Sequence, residues 1–133
     1  MAEEFLSFDA FLERLREQAR NTRDQGTQFE LAMAALLPML PEYEFDAAWL
    51  WQDWPQRREI TDLNAQDIGI DIVARLRGSG EFWAIQCKFY DSGSTISNGD
   101  LGTFFTASGR YGFSGRLIIT TTDKWTSTAE SMI

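Results

Sequence analysis

Two short alternating stretches, Ile70-Asp71-Ile72-Val73-Ala74 and Ala84-Ile85-Gln86-Cys87-Lys88, flank the segment Arg77-Gly78-Ser79-Gly80. Apolar runs of this kind, bounded by turn residues, read as β-strands. A Gly-Ser tip suits a two-residue hairpin turn with glycine at its first central position. With Gly78 and Ser79 at the tip, Arg77 faces Gly80 and the numbers of paired residues sum to 157. That register sets Asp71 opposite Gln86, their Cβ atoms about 4.5–5.5 Å apart. It also sets Gly69 opposite Lys88, leaving the lysine room. Side chains alternate between the two faces of a strand, so Gln86 and Lys88 share one. The hairpin is therefore expected to gather a carboxylate, an amide oxygen and an ammonium on one patch of a sheet.

Those groups suit a hard divalent cation. Mg²⁺ takes oxygen ligands in octahedral geometry at about 2.0–2.1 Å. Asp71 offers an anionic oxygen, Gln86 a neutral one, and the backbone carbonyl of Cys87 a third. Lys88 cannot ligate while protonated, but it can hold a water or neutralise charge that develops on a phosphate. A metal and a lysine beside one carboxylate can hydrolyse a phosphodiester. The competing reading is an exposed sheet face with scattered polar residues.

Asp71 followed by Gln86-Cys87-Lys88 resembles the Asp…Gln-x-Lys variant of the PD-(D/E)XK nuclease motif. Asp67-Ile68-Gly69-Ile70-Asp71 and Gln86-Cys87-Lys88-Phe89-Tyr90 resemble the Mrr-like branch of restriction endonucleases. The likeness is closest to N-terminal nuclease domains of single-chain, ATP-driven type ISP restriction-modification proteins. It implies an α/β fold of restriction-endonuclease type: a three-layer α/β/α core with a mixed sheet, preceded by N-terminal helices. It further implies an endodeoxyribonuclease that uses Mg²⁺, with Mn²⁺ able to substitute, and acts on double-stranded DNA. Asp71 would bind the metal, Gln86 would replace the usual acidic ligand, and Lys88 would be the catalytic lysine. Cutting both strands would take a second nuclease copy.

The chain departs from the name-giving pattern twice. Ile70 stands in place of the proline, which has no chemical role there. Gln86 stands in place of an acid, which removes a negative charge and calls for another carboxylate. Glu30 is the candidate, because similar nucleases often place a glutamate from an N-terminal helix at the metal. Its neighbours Ala34 and Leu37 are apolar, so it can face inward. Thr27-Gln28-Phe29-Glu30 is equally a capping-box pattern, in which the glutamate satisfies a helix start. Both readings of Glu30 stay open. Asp67 reads as a loop residue before the strand rather than a ligand.

The chain has 133 residues, the size of one domain with a real core. Residues 1–25 are expected to form an N-terminal helix and 26–133 the nuclease core. Histidine is absent, which excludes histidine bases, histidine metal sites and Ser-His-Asp triads. One cysteine cannot form an internal disulfide and fits a reducing cytoplasm. The acidic start Met1-Ala2-Glu3-Glu4 is unlike a signal peptide, and no apolar run has the length of a membrane span. No Gly-Lys-Ser/Thr loop is present, so any ATP use would belong to a helicase portion outside this chain. The final residues, Thr126 to Ile133, read as an unfinished helix. The chain is therefore expected to be the N-terminal fragment of a larger protein, with that protein's other domains as partners.

A net charge of −8 sits awkwardly with a nucleic-acid ligand, because phosphate neutralisation dominates such affinity. Either other parts of a longer protein deliver the domain to DNA, or DNA is the wrong ligand. The charge and Gln86 favour an alternative, a catalytically silent nuclease-fold domain serving as a DNA-binding or interdomain scaffold. Asp71 and Lys88 speak for the enzyme.

Phe5, Phe8, Leu12, Leu15 and Ala19 recur at helical spacing. The polar run Asn21 to Gly26 is expected to end that helix, and a second to run from Thr27 to Leu40, broken by Pro38 and Pro41. Trp49 and Trp51 alternate as in a strand; with Trp54 they are expected to pack or to meet another domain. A helix over Asp100–Arg110 follows a Ser/Gly-rich loop. Arg116 to Thr121 reads as a strand in the middle of a sheet. Strand, helix, strand is the crossover of a parallel pair.

Overall fold

The computed structural model describes residues 8–57, 69–89, 98–110 and 112–121. The order is α1 (Phe8–Gln18), α2 (Thr22–Leu36), β1 (Phe45–Leu50), β2 (Ile72–Leu76), β3 (Phe82–Lys88), α3 (Asn98–Arg110) and β4 (Gly115–Thr120). Asp67, Tyr90, Lys124 and the segment Thr126–Ile133 lie outside the described residues.

The four strands form one mixed sheet in the order β1-β2-β3-β4. β1 and β2 are antiparallel, as are β2 and β3, while β3 and β4 are parallel. The central hairpin has the expected register: Ile72 pairs with Ile85, Val73 with Ala84, Ala74 with Trp83 and Arg75 with Phe82, each summing to 157. Its tip differs from expectation. The Gly80 N–H donates to the Leu76 carbonyl at 3.1 Å, and Leu76 N–H to the Glu81 carbonyl at 2.8 Å, so residues 77–80 form a four-residue loop. Arg77 does not pair with Gly80 because its N–H is committed to the Glu44 carbonyl, at 2.8 Å. Gly78 and Gly80 both have positive φ, 88° and 73°, which the longer loop needs and glycine supplies without strain.

Alternation on β2 and β3 feeds two cores. Ile72, Ala74, Ile85 and Cys87 pack with Leu12, Leu15, Phe29 and Met33 of α1 and α2. Val73 and Ala84 pack on the other face with Phe104 and Ala107 of α3, and with Trp51 and Trp54. This is a three-layer α/β/α arrangement, and it explains why both central strands read as nearly continuous apolar runs. The tryptophans pack as expected: Trp54 is 2 % exposed and lies against Phe82 at 5.1 Å between ring centroids. Trp51, expected in a strand, instead opens a 3₁₀ turn, Trp51–Asp53.

Two further expectations are corrected. α2 begins at Thr22, not Thr27, because Asn21 caps it: Asn21 Oδ1 accepts from Asp24 N–H at 2.8 Å, and Asp24 Oδ2 accepts from Arg20 N–H at 2.9 Å. Asn21 to Gly26 therefore opens the second helix rather than closing the first. β4, expected mid-sheet, is at the edge among the described residues. Its side chains Leu117 and Ile119 pack toward the α1/α2-side core and Ile118 toward the α3-side core, and all three stay half-buried, as suits a strand paired on one side.

Candidate active site

The regular β2–β3 ladder stops at Ile72, one residue short of Asp71. Asp71 N–H donates to the Ile85 carbonyl at 3.0 Å, and its own carbonyl accepts from Trp51 N–H at 2.9 Å. Ile70 and Val73, three apart, pack in the same core, so the period of two breaks between them. Gly69, at φ +90°, precedes the break. A Cβ at Gly69 would meet Thr103 Cγ2 at 2.8 Å and Phe104 N at 3.2 Å. This glycine serves the close approach of α3, not room for Lys88.

The break turns the Asp71 carboxylate onto β3. Its Oδ2 accepts a hydrogen bond from Cys87 N–H at 2.8 Å, so the Gln86–Cys87 peptide passes directly beside it. N–H and C=O of one residue in a strand point to the same side, so the Cys87 carbonyl faces this same edge. The Cys87 side chain is buried in the α2-side core. Burial raises its pKa well above the ordinary thiol value, and the nearby Asp71 and Glu30 charges push it the same way.

Glu30 thus lies close to the same point. It is in the interior of α2, eight residues past the Thr22 start, and does not take part in a capping box. Thr27 is also mid-helix, and its hydroxyl donates to the Arg23 carbonyl at 3.1 Å. Glu30 and Asp71 line one cavity of about 380 Å³, together with Arg23, Gly26, Thr27, Leu50, Trp51, Gln52 and Ile70. Gln86 and Lys88 are not among its lining residues. They flank Cys87 on β3, with Gln86 5 % exposed and Lys88 half-buried. Gln86 Oε1 is buried and accepts no hydrogen bond among the described residues. A buried acceptor left unmade costs about 1–3 kcal/mol. Among the described residues no group of three His, Cys, Asp or Glu side chains is placed to hold a metal.

Sequence reasoning missed Arg23, Trp51 and Gln52 as cavity walls. Arg23 was legible in principle, since it precedes Glu30 by seven residues, two helical turns. Starting the helix at Thr27 removed it from view.

A restriction endonuclease family model, Mrr_cat_2, matches residues 38–133. The chain belongs to this restriction endonuclease family. The match takes in the whole sheet with Asp71, Gln86 and Lys88, and leaves α1 and α2, and so Glu30, outside. Among solved structures, the restriction endonuclease domain is similar to one described as the ATP-dependent type ISP restriction-modification enzyme LlaBIII bound to DNA. The identity is 27 % and the TM-score 0.67, over 92 % of this chain and 7 % of that one. This chain therefore spans a small part of that protein's length. No curated protein matches. Among the described residues no helix is long and apolar enough to cross a membrane.

Proposed function

We propose that this restriction endonuclease domain hydrolyses phosphodiester bonds of double-stranded DNA with the help of a divalent cation, Mg²⁺ or Mn²⁺, within a restriction-modification protein. The observation that carries this reading is the meeting of Asp71 with the Gln86-Cys87-Lys88 segment, through the bond from Cys87 N–H to the Asp71 carboxylate at 2.8 Å. Membership of the restriction endonuclease family supports it, as does the likeness to a DNA-bound type ISP enzyme.

The donor set fits a hard cation. Asp71 and Glu30 would supply two carboxylates, the Cys87 carbonyl a neutral oxygen, and Gln86 Oε1 a buried oxygen that has no partner among the described residues. All are oxygen donors, as Mg²⁺ requires. A bound metal supplies Lewis acidity toward a phosphate oxygen and lowers the pKa of a water. Cys87 N–H fixes the orientation of the Asp71 carboxylate. Lys88 would hold the attacking water or neutralise charge building on the phosphate. ATP use, other domains and a second nuclease copy would belong to a longer protein and its assembly.

The silent-scaffold reading keeps one observation in its favour, the lack of a three-residue acidic or thiol cluster among the described residues. Metal titration followed by thermal melting separates the two. A ligand that binds only the folded state raises Tm with its concentration. The proposal expects Mg²⁺ or Mn²⁺ to raise Tm in the wild type and not in Asp71→Ala. An equal rise in both would place the metal elsewhere.

A further inference from the structure

Arg23 is the only cation among the described residues that line the cavity of Asp71 and Glu30. It is exposed, and its guanidinium makes no ion pair or hydrogen bond among the described residues. Thr27, the neighbouring polar group, has its hydroxyl proton committed to the Arg23 carbonyl. Between Arg23 and Glu30 lies Gly26, also on the cavity wall. Arg23, Gly26, Thr27 and Glu30 are spaced i, i+3, i+4, i+7, so they form one stripe of α2.

Gly26 is hard to explain by folding. A glycine inside a helix is destabilising relative to alanine, and a Cβ at Gly26 would meet nothing within 4 Å among the described residues. No packing contact among them and no positive φ requires it. Its absent side chain does keep the cavity wall low where a ligand would lie, between a cation and the carboxylates.

We infer that the Arg23–Gly26 stripe of α2 is a seat for the phosphate backbone of the bound DNA strand, with Arg23 clamping a phosphate next to the one at Asp71 and Glu30. This rests on the nuclease reading of that cavity. Arg23 and Glu30 are about 10 Å apart along the helix axis, so the two act on different phosphates of one strand. A guanidinium binds phosphate oxygens with paired donors. In a chain of net charge −8, one cation inside the cleft also localises binding to the strand to be cut. Gly26 lets the sugar-phosphate chain lie against the helix.

The test is binding of a labelled DNA duplex over a salt series, with Ca²⁺ in place of Mg²⁺, alongside melting curves. Arg23→Gln should weaken binding roughly tenfold and flatten the slope of log K against log salt by about 0.9, one phosphate contact. Arg23→Lys should keep the slope. Gly26→Ala should raise Tm by a few degrees and still weaken binding several-fold. Gly102→Ala is the control: Gly102 lies inside α3, also with nothing within 4 Å among the described residues, and is not part of the cavity's described lining. It should raise Tm and leave binding unchanged. A wild-type slope in Arg23→Gln, or wild-type binding in Gly26→Ala, overturns the seat, as does a wild-type protein that binds no DNA at any salt. The nuclease reading fails separately, if Asp71→Ala cuts DNA as well as the wild type.

Discussion

The Asp71 carboxylate accepts a hydrogen bond from the backbone N–H of Cys87 at 2.8 Å, where the β2–β3 ladder has already ended. One side chain therefore both closes the end of a sheet and stands at the candidate metal site. Asp71→Ala should abolish cleavage and also leave a half-buried N–H unpaired, costing about 1–3 kcal/mol of stability. Asp71→Asn keeps an acceptor oxygen and should restore most of that stability without activity. Urea denaturation beside a cleavage assay checks both; an active Asp71→Asn would contradict the assigned role.

Gln86 should show opposite effects with and without metal. Its buried oxygen lacks a partner among the described residues, so Gln86→Met should be neutral or stabilising by on the order of 1 kcal/mol in EDTA. The same change should shrink the Tm rise produced by Mg²⁺. Gln86→Glu should do the reverse, lowering Tm in EDTA and enlarging the metal-dependent rise. Tm measured over a Mg²⁺ series in all three proteins reads this directly.

Cys87 predicts an alkaline limb of the stability curve. Its thiol pKa is raised in the fold by burial, then by the Asp71 and Glu30 charges. The unfolded chain ionises first, so the folded state binds more protons between the two pKa values, and stability falls as pH rises. The contribution is fully present below the unfolded thiol pKa. It is lost from there upward, at up to about 1.4 kcal/mol per pH unit. Denaturation between pH 7 and 10 should show a flatter dependence for Cys87→Ala than for the wild type.

Gly69 is a positional requirement of the site. At φ +90° with α3 at contact distance, Gly69→Ala must strain the backbone, by about 1–2 kcal/mol, and push against Thr103. A lowered urea midpoint is expected, with cleavage falling further than stability alone explains because the turn aims Asp71. Wild-type stability and activity in this variant would mean that α3 gives way.

The hairpin register was legible because apolar alternation on both strands admits one phase, and because turn glycines bounded the loop. The turn type was not, since the Glu44 carbonyl of a distant segment takes the Arg77 N–H. The start of α2 was hidden for a related reason. Asn21 with Asp24 and Thr27 with Glu30 both look like caps, and only the first forms. That misreading kept Glu30 ambiguous and Arg23 unseen. The position of β4 could not be read, because an apolar run looks alike in the middle of a sheet and at an edge. Asp71, Gln86 and Lys88 stood out through the strand register that brings them together and through the resemblance of their motif, yet the break at Asp71 that sets its carboxylate against Cys87 is a tertiary feature, made by Gly69 and α3.

Cleavage of supercoiled plasmid in Mg²⁺ or Mn²⁺, comparing wild type with Asp71→Ala and Lys88→Ala, tests the central claim most directly. The longest natural form of the protein should be used, with ATP present. The account predicts metal-dependent nicking or cutting by the wild type, lost in EDTA and reduced at least about a hundredfold in both variants. Equal cleavage by all three proteins, or none by a wild type that binds DNA and metal, would contradict it.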